Sequence, residues 1–304
     1  MIRFLNRNEI DIRKWDACID ASKEGQAFYY SWYLDSCCEK WGALIEGNYE
    51  SVFPFAIKNK LGIEYSYQAF FTRHYGLISK SETDAAKRLE FIAQIPSSFK
   101  FLDFCLHKHH QELPENAKRE EKIYQELNLR TSYEEIRKGY HENLNRNLKK
   151  ARKFQLKIHE NFSPELLIES FKTHQEKAAE KFSDADFQKL LHLMKSASEK
   201  AIGICWAVQD QNKSILSAAF FMKTGNRWLY LKGFTSPEGK KCGASHFLFD
   251  QFISKKSSQD ADLDFGGSSV KSVARFYQSF GSADCVYLRL RINRLPKALS
   301  WLKR

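Results

Sequence analysis

Residues 227–245 read RWLYLKGFTSPEGKKCGAS, an apolar run followed by a turn of small and basic residues. The apolar run Arg227–Phe234 predicts a strand, and the residues after the turn predict a helix. Small residues let backbone N–H groups approach a phosphate, and the start of a helix favours negative charge. The turn therefore predicts a site for a phosphorylated ligand, with the candidate contacts Lys240, Lys241, Gly243, Ala244 and Ser245. An ordinary turn with an N-cap residue explains the same small residues about equally well.

The segments on either side of this turn alternate between helices and strands. Two helices come before it, the first opened by Ser163-Pro164, and three strands separated by polar turns follow them. After the turn come a helix, a short strand at 262–265, a helix at 270–279 and a last strand at 286–292. This order predicts a mixed α/β unit in which most strands are antiparallel.

The first half of the chain also mixes strands with helices, and a polar segment separates it from the second half. The proline-containing segment Gln111–Glu121 predicts a hinge. A capping box at Ser132 opens a long helix, whose apolar residues recur at helical spacing as far as Ala151. Since 304 residues suit two domains of about 150 residues each, we expect one unit at 1–130 and a second at 131–304.

The charge balance is strongly basic, with 48 Lys and Arg against 37 Asp and Glu, which gives a formal net charge of +11. This excess favours polyanionic partners such as RNA, nucleotides or a CoA-type diphosphate. DNA is not among the expected partners. No apolar run is long enough to cross a bilayer, and the charged start has no signal-peptide core. The expected location is therefore the cytoplasm.

The cysteines and histidines give little sign of a metal site. Seven cysteines are scattered without the spacing of a zinc site or a disulfide scaffold, so we expect buried, reduced thiols. His107, His109 and His110 form a histidine cluster, but no cysteine or carboxylate stands at ligand spacing beside it. The expectation from the sequence is that the protein holds no metal.

Several stretches resemble known acyltransferases. The turn at 240–245 resembles the CoA-binding turn of the GNAT superfamily, Gln/Arg-x-x-Gly-x-Gly/Ala. The chain as a whole is most similar to the Fem-like branch, tandem GNAT-like proteins that include bacterial peptidyltransferases using aminoacyl-tRNA to build peptidoglycan cross-bridges. The stretches that carry this similarity are Val52–Gly76, Thr131–Arg152 and Leu263–Gly281. The resemblance implies an α/β (α+β) fold of two GNAT-like units in tandem, with mixed, mostly antiparallel sheets flanked by helices.

The resemblance also implies roles for individual residues. In GNAT enzymes a tyrosine four residues before a glycine often protonates the departing CoA thiolate, and Tyr277 holds that place; a phenol has an ordinary pKa of about 10, close to that of a thiol. Asp264 lies near the end of a strand expected to border the donor cleft, so it is the candidate base, or else it caps the next turn. The adjacent Gly266 and Gly267 predict a tight turn. Residues expected to line an acceptor cleft, or else an edge-strand surface, are Tyr65, Tyr67, Gln68, Arg73 and His74.

One departure from the Fem pattern bears on the donor. Fem peptidyltransferases typically have Phe-Lys on the last helix, whereas here Phe276 is followed by Tyr277. This difference favours an acyl-CoA-type donor, with aminoacyl-tRNA second because the basic helix end Arg146–Lys153 could meet phosphates.

The expected activity is therefore that of an N-acyltransferase acting on an amine of a small molecule or peptide. The alternative is a non-enzymatic RNA-binding or tRNA-binding protein that retains the GNAT fold. The absence of a Ser-His-Asp order, a Rossmann glycine pattern and a P-loop leaves hydrolase, dehydrogenase and NTPase functions without support.

Overall fold

The structure of the protein is a computed structural model that describes residues 1–267 and 270–296. Its strands are β1 (Ile2–Asn6), β2 (Trp41–Glu46), β3 (Ser51–Lys60), β4 (Ile63–Tyr67), β5 (Ile78–Ser79), β6 (Phe101–Cys105), β7 (Lys118–Asn128), β8 (Lys157–Glu160), β9 (Gly203–Gln209), β10 (Ile215–Thr224), β11 (Arg227–Thr235), β12 (Asp262–Gly267) and β13 (Ala283–Asn293). Its α-helices are α1 (Ile12–Ala21), α2 (Ser31–Cys37), α3 (Ala85–Ala93), α4 (Tyr133–Lys138), α5 (Glu142–Lys153), α6 (Pro164–His174), α7 (Glu176–Ala179), α8 (Asp184–Glu199), α9 (Pro237–Cys242), α10 (Ala244–Lys256) and α11 (Lys271–Gln278).

These elements form two compact units, one of residues 1–123 with the described part of 285–304, and one of residues 124–284. The boundary expected after residue 130 stays a prediction. Among the described residues, no helix combines the length and the apolarity that a membrane span requires.

The first unit is built on an antiparallel meander. Strands β1, β2, β3 and β4 pair in that order, each antiparallel to the next. Strand β4 then pairs parallel with β6, and β6 pairs antiparallel with β13 near the end of the chain. The interior contains large aromatic side chains that are completely buried, among them Trp15, Trp41, Phe53 and Phe55.

The second unit repeats this strand order. Strands β8, β9, β10 and β11 pair in sequence and antiparallel, β11 pairs parallel with β12, and β12 pairs antiparallel with β7. Helices α6, α7 and α8 connect the first two strands of this meander, as α1 and α2 do in the first unit. The predicted mixed, mostly antiparallel architecture with flanking helices is confirmed.

The helix predicted from Ser132 is interrupted. Ser132 does cap α4, since its hydroxyl oxygen accepts a hydrogen bond from the Glu135 N–H at 3.3 Å. The helix stops at Gly139, and α5 begins after His141, whose N–H donates to the Ser279 carbonyl at 2.9 Å. The prediction of one continuous helix was wrong, because this bond comes from the end of α11 and has no counterpart in the local sequence.

A second difference concerns the turn after β11. The sequence predicts one helix from about Gly243, but a separate helix, α9, comes first, with its Ser236 N-cap accepting from Gly239 N–H at 3.0 Å. Gly243 ends α9 and precedes α10 in a left-handed conformation, at φ +77°. Glycine adopts this conformation at little cost, so Gly243 sets the angle between the two helices.

Candidate active site

The parallel strands β11 and β12 of the second unit separate after a short contact. Their register joins Arg227 to Asp262, Trp228 to Leu263 and Leu229 to Asp264. Beyond this point β11 continues to Thr235 and pairs with β10 on its other side. Within the described residues, the β12 side of 230–235 therefore has no ladder partner in β12. Backbone donors and acceptors left in this way can bind an extended ligand.

Both diverging strands carry a bulge at the point where they part. In β11 the register with β10 shifts between Tyr230 and Lys232, which leaves Leu231 as the additional residue. In β12 the register with β7 shifts between Asp264 and Gly266, and Gly266 has φ +87°. The glycines expected to form a tight turn thus lie in a bulged strand. Ser268, which follows them in the Fem-like stretch Leu263–Gly281, lies outside the described residues. Bulges redirect side chains, and they often lie beside active sites.

Asp264, the candidate base, lies in a buried cluster of charged residues. It is 1% exposed, and its Oδ1 accepts a hydrogen bond from Gly266 N–H at 2.8 Å. Burial lowers the pKa of Arg227, but the charges of Glu126 and Asp264 outweigh this effect, so its pKa lies above the ordinary value. Arg227 also forms an ion pair with Glu126. Asp264, Arg227 and Glu126 therefore form one group of interacting charges.

Tyr277, the candidate acid, is a residue of α11 and belongs to an aromatic cluster that this helix forms with α10 and the sheet. Its side chain is 8% exposed, and its ring stacks on Phe265 with centroids 5.1 Å apart. The Tyr230 ring lies 6.2 Å away, and burial, with a smaller effect from Tyr277, raises the pKa of Tyr230 well above its ordinary value. Leu263 and Phe265 face this cluster. Asp264 instead lies with Arg227 and Glu126. The two candidate catalytic residues therefore have different surroundings: Asp264 is among charged residues, and Tyr277 is among aromatic ones.

The expected phosphate contacts divide into an exposed pair and a buried turn. Lys240 and Lys241 are exposed in the last turn of α9. Gly243 and Ala244 are buried, and a methyl group added at Gly243 would lie 2.9 Å from the Asn147 carbonyl oxygen of α5. Ser245 is partly buried at the start of α10. The start of α10 is thus covered by α5, while the two lysines remain accessible.

Helix α5 adds further positive charge next to these lysines. Its buried residues are Leu144, Leu148 and Ala151, and α5 packs against α9 and α10. Its exposed side, which we call the basic face, consists of Arg146, Lys149, Lys150, Arg152 and Lys153. Within the described parts of the chain, only Arg146 of this set has a carboxylate within 4 Å, that of Glu142 at 3.9 Å. The basic face therefore provides several cations that no acidic side chain neutralises.

Lys232 is a functional candidate that the sequence analysis did not single out. It lies on β11 beyond the point of divergence, with Nζ 3.8 Å from the Phe171 ring centroid and 4.6 Å from that of Phe182. No carboxylate in the described residues lies within 4 Å of Nζ. Burial lowers the pKa of Lys232 to about 8. The sequence feature that could have identified Lys232 is its place in the otherwise apolar run LYLKGF at 229–234.

His246, in the first turn of α10, is a second residue that the sequence analysis did not identify. Burial lowers the pKa of His246 to about 4, and its ring meets that of Phe276 edge to face at 4.9 Å. At neutral pH it is therefore an uncharged side chain next to the helix that carries Tyr277.

The expected acceptor residues lie in the first unit and do not form one uniform surface. Tyr65 and Tyr67 are partly buried on β4, with ring centroids 6.2 Å apart. Gln68 donates to the Thr72 carbonyl at 3.1 Å and accepts from Cys105 N–H at 2.8 Å, so it holds the local backbone in place.

Arg73 and His74 follow in the same segment of the first unit. Arg73 is partly buried. His74 is 1% exposed, and its Nδ1 lies 2.7 Å from the Tyr29 hydroxyl oxygen. The tyrosines and Arg73 retain accessible surface, whereas Gln68 and His74 are engaged with protein groups.

Solved structures with the same fold cover nearly the whole chain. FemX matches with a TM-score of 0.64 at 13% identity, over 99% of this chain and 99% of that one. L-PGS from Bacillus licheniformis matches with a TM-score of 0.57 at 11% identity, over 96% and 95% of the two chains. A tandem GNAT protein from the clavulanic acid biosynthesis pathway matches with a TM-score of 0.50 at 10% identity, over 98% and 100%.

These matches establish that the chain has the fold of the Fem-like and tandem GNAT structures, as its sequence motifs implied. No protein-family model matches the sequence, and no curated protein matches it. Because a shared fold does not fix the function, the activity has to be inferred from the residues of the site.

Proposed function

We propose that this protein is an N-acyltransferase that binds its acyl donor where β11 and β12 separate and transfers the acyl group to an amine. The observation that carries the proposal is the divergence after Leu229 and Asp264, which leaves one side of β11 available to a ligand. The proposal is supported by the fold shared with FemX and a tandem GNAT protein.

The proposed chemistry is direct attack of the amine on the donor carbonyl carbon. Backbone N–H groups of β11 beyond Leu229 would polarise the carbonyl as negative charge develops on its oxygen. Asp264 would take the proton from the amine, and the Tyr277 hydroxyl would protonate the leaving group. Tyr65, Tyr67, Gln68, Arg73 and His74 remain the proposed acceptor residues.

The first donor candidate is an acyl-CoA-type thioester. Lys240 and Lys241 are exposed just before the start of α10, where they could contact the CoA phosphates. The coverage of Gly243 by Asn147 limits the backbone contribution to such a site. The lysines would therefore carry most of the diphosphate contact.

The second donor candidate is an aminoacyl-tRNA, and the basic face favours it. Five exposed cations on α5, with Lys240 and Lys241 on the adjoining α9, make a surface suited to a nucleic-acid backbone. A tRNA donor would depend on these charges collectively and on ionic strength. A thioester would depend on the two lysines of α9.

The experiment measures transfer to an amine from acetyl-CoA and from aminoacyl-tRNA, using the full chain and two variants. One variant carries Lys240→Glu with Lys241→Glu, and the other replaces the α5 residues Arg146, Lys149, Lys150 and Lys153 with Gln. Charge reversal of the exposed Lys177 and Lys181 is the control for net charge. A thioester donor predicts loss of turnover in the Lys240/Lys241 variant and unchanged turnover in the α5 variant.

The other outcomes are equally distinct. Loss of aminoacyl transfer in the α5 variant, with a weaker salt dependence, would assign the tRNA donor. RNA binding that the α5 variant loses, in a protein that turns over neither donor, would contradict the proposed function and support the non-enzymatic alternative.

A further inference from the structure

Three side chains that can bind a transition metal come together in the first unit. Glu24 lies in the segment after α1, and His107 and His109 lie in the turn after β6. One ligand atom from each residue lies within 4.8 Å of the other two. The sequence led us to expect no metal because no carboxylate stands near the histidines, but the fold brings one there from a distant part of the chain.

We propose that Glu24, His107 and His109 bind one Zn²⁺ ion, with water in the fourth position. Two imidazoles and one carboxylate form a ligand set that suits zinc, at about 2.0–2.2 Å from the metal. Tetrahedral geometry at these distances separates ligand atoms by about 3.4 Å. The ligand atoms must therefore close by up to about 1.4 Å from their present spacing, and the exposed side chain of His109 has the freedom to move.

The arrangement of His107 supports this assignment. His107 is 2% exposed, its ring stacks on that of His109 with centroids 4.8 Å apart, and its Nδ1 lies 4.0 Å from Glu24 Oε2. The same Nδ1 lies 3.5 Å from the His109 N–H, a long contact that a metal ion would replace. This nitrogen therefore lies close to both Glu24 and His109.

The opposite ring nitrogen of His107 meets a residue suited to supporting a metal ligand. His107 Nε2 lies 3.1 Å from Gln26 Nε2, and the buried Gln26 Oε1 has no hydrogen-bond partner in the described residues. A metal-bound histidine usually donates its second N–H to a nearby acceptor, which fixes its tautomer. A half-turn of the Gln26 amide would place Oε1 on the His107 Nε2–H. The lone pair of Nδ1 would then be available to the metal.

The competing explanation is an ion pair between Glu24 and a protonated His107, without a metal. Arg88 and Lys108 act electrostatically on Glu24, and their charges weaken the site for any cation. A zinc ion would link the segment after α1 to the turn after β6 and would stabilise the first unit by binding only the folded chain. An ion pair would give no such dependence on added metal.

The test is calorimetric titration of the metal-stripped full chain with Zn²⁺, together with its thermal unfolding. Glu24→Gln and His109→Gln change accessible ligands without opening the core, and His192→Gln removes an exposed histidine of α8 as the matched control. We expect one ion per chain and a raised Tm. Affinity should fall at least about tenfold in each ligand variant and should not change in the control. Mg²⁺ should not compete, because imidazole ligands select against it.

A Co²⁺ spectrum distinguishes these ligands from the seven cysteines. Tetrahedral Co²⁺ without a thiolate charge-transfer band is the expected result. The proposal is overturned if the wild-type chain binds no stoichiometric Zn²⁺, if both ligand variants bind as well as wild type, or if the spectrum contains a thiolate band.

Discussion

Two opposing effects act on the charge of Lys232, since partial burial destabilises its ammonium and aromatic contacts stabilise it. Its ammonium lies close to the rings of both Phe171 and Phe182, and aromatic faces attract cations by about 0.5–2 kcal/mol. Burial acts in the opposite direction and lowers the pKa of Lys232 to about 8. Lys232 lies on β11 beyond the point where β11 and β12 separate. A cation there is suited to binding an anionic group of a ligand, and such an ion pair would offset part of the free energy lost by desolvating the ammonium.

The pH dependence of stability reports on Lys232. The folded state releases this proton at about pH 8, and the unfolded state holds it to about pH 10.5. Because the unfolded state binds more protons between these values, the free energy of unfolding should rise with pH across that window. Lys232→Met should be more stable than wild type at pH 7 by roughly 1–2 kcal/mol, after allowing for the lost aromatic attraction. The difference should shrink toward pH 10.5.

Urea unfolding at pH 7 and pH 10 measures this difference directly. Lys177→Met replaces an exposed lysine of α7 and is the control. Its free energy of unfolding should differ little from that of wild type at pH 7 and at pH 10. A Lys232→Met protein that is less stable than wild type at pH 7 would contradict the assignment of a destabilising, partly buried charge.

The hydroxyl group of Tyr277 provides a second test at the residue scale. Tyr277→Phe keeps the ring on Phe265 and removes the hydroxyl of the proposed acid. We expect kcat for acyl transfer to fall roughly 100-fold. Tyr133→Phe, which removes a hydroxyl that donates to Asp250 at 2.6 Å, is the control for loss of a phenol elsewhere in the unit. Equal activity of wild type and Tyr277→Phe would remove Tyr277 from the mechanism.

At the scale of elements, the junction between α4 and α5 depends on close backbone contact with the end of α11. Gly281 has φ +77°, and a methyl group added there would lie 3.0 Å from the Gly139 carbonyl oxygen. The nearby His141 N–H donates to Ser279 across the same junction. Two glycines thus allow the end of the helix carrying Tyr277 to fit against the start of the helix carrying the basic face.

Replacing Gly281 with Ala tests this junction. The positive φ costs about 1 kcal/mol for a residue with a Cβ, and the contact with Gly139 should raise the total to roughly 2–3 kcal/mol. Gly225→Ala is the matched control, because Gly225 has φ +53° with no atom within 4 Å of an added methyl group. Chemical denaturation of both variants should show the larger loss at Gly281. Equal losses would mean that the backbone contact adds nothing.

The sequence was most informative about elements whose signals are local. The Ser132 cap, the Ser163 cap and the strand at 227–234 were predicted from adjacent residues, and the structure contains them. The break at His141 was missed because its decisive hydrogen bond comes from Ser279. The bulges at Leu231 and Phe265 were missed because they depend on which strand lies alongside.

At the scale of the whole molecule, the apolar interior protects most of the thiols. Six of the seven cysteines are buried, and only Cys285 is intermediate in exposure. Burial raises the pKa of Cys18 and Cys105 to about 11 and that of Cys205 to about 12. Since the thiolate is the reactive form, these buried groups should be inert in the folded protein.

Alkylation with iodoacetamide at pH 8 therefore should modify Cys285 first. The remaining thiols should react only when the chain unfolds, and mass spectrometry should find a single early adduct. Cys285→Ser should abolish that early adduct. Early modification of a thiol such as Cys205 would mean that its unit opens readily under native conditions.

Prediction of the candidate sites was limited because their residues are distant in sequence and meet only in the folded chain. Helix and strand alternation predicted the architecture, and the GNAT-like motifs pointed to Asp264 and Tyr277. The meeting of Asp264 with Arg227 and Glu126 depends on three strands, and that of Glu24 with His107 depends on two loops. Neither has a signature in local spacing.

The pairing of β13 with β6 has a consequence for synthesis on the ribosome. Strand β6 has its neighbour β4 early, but its other edge is completed only by residues 289–293, with Arg289 bound to Asp103 at 2.5 Å. Until those residues emerge, the first unit exposes an unpaired strand edge, while every strand of the second unit is already made. A nascent chain in this state is open to edge-to-edge association with its neighbours. Newly made protein should therefore depend on chaperones longer than its small units suggest, and premature termination before residue 289 should yield aggregates rather than a folded first unit.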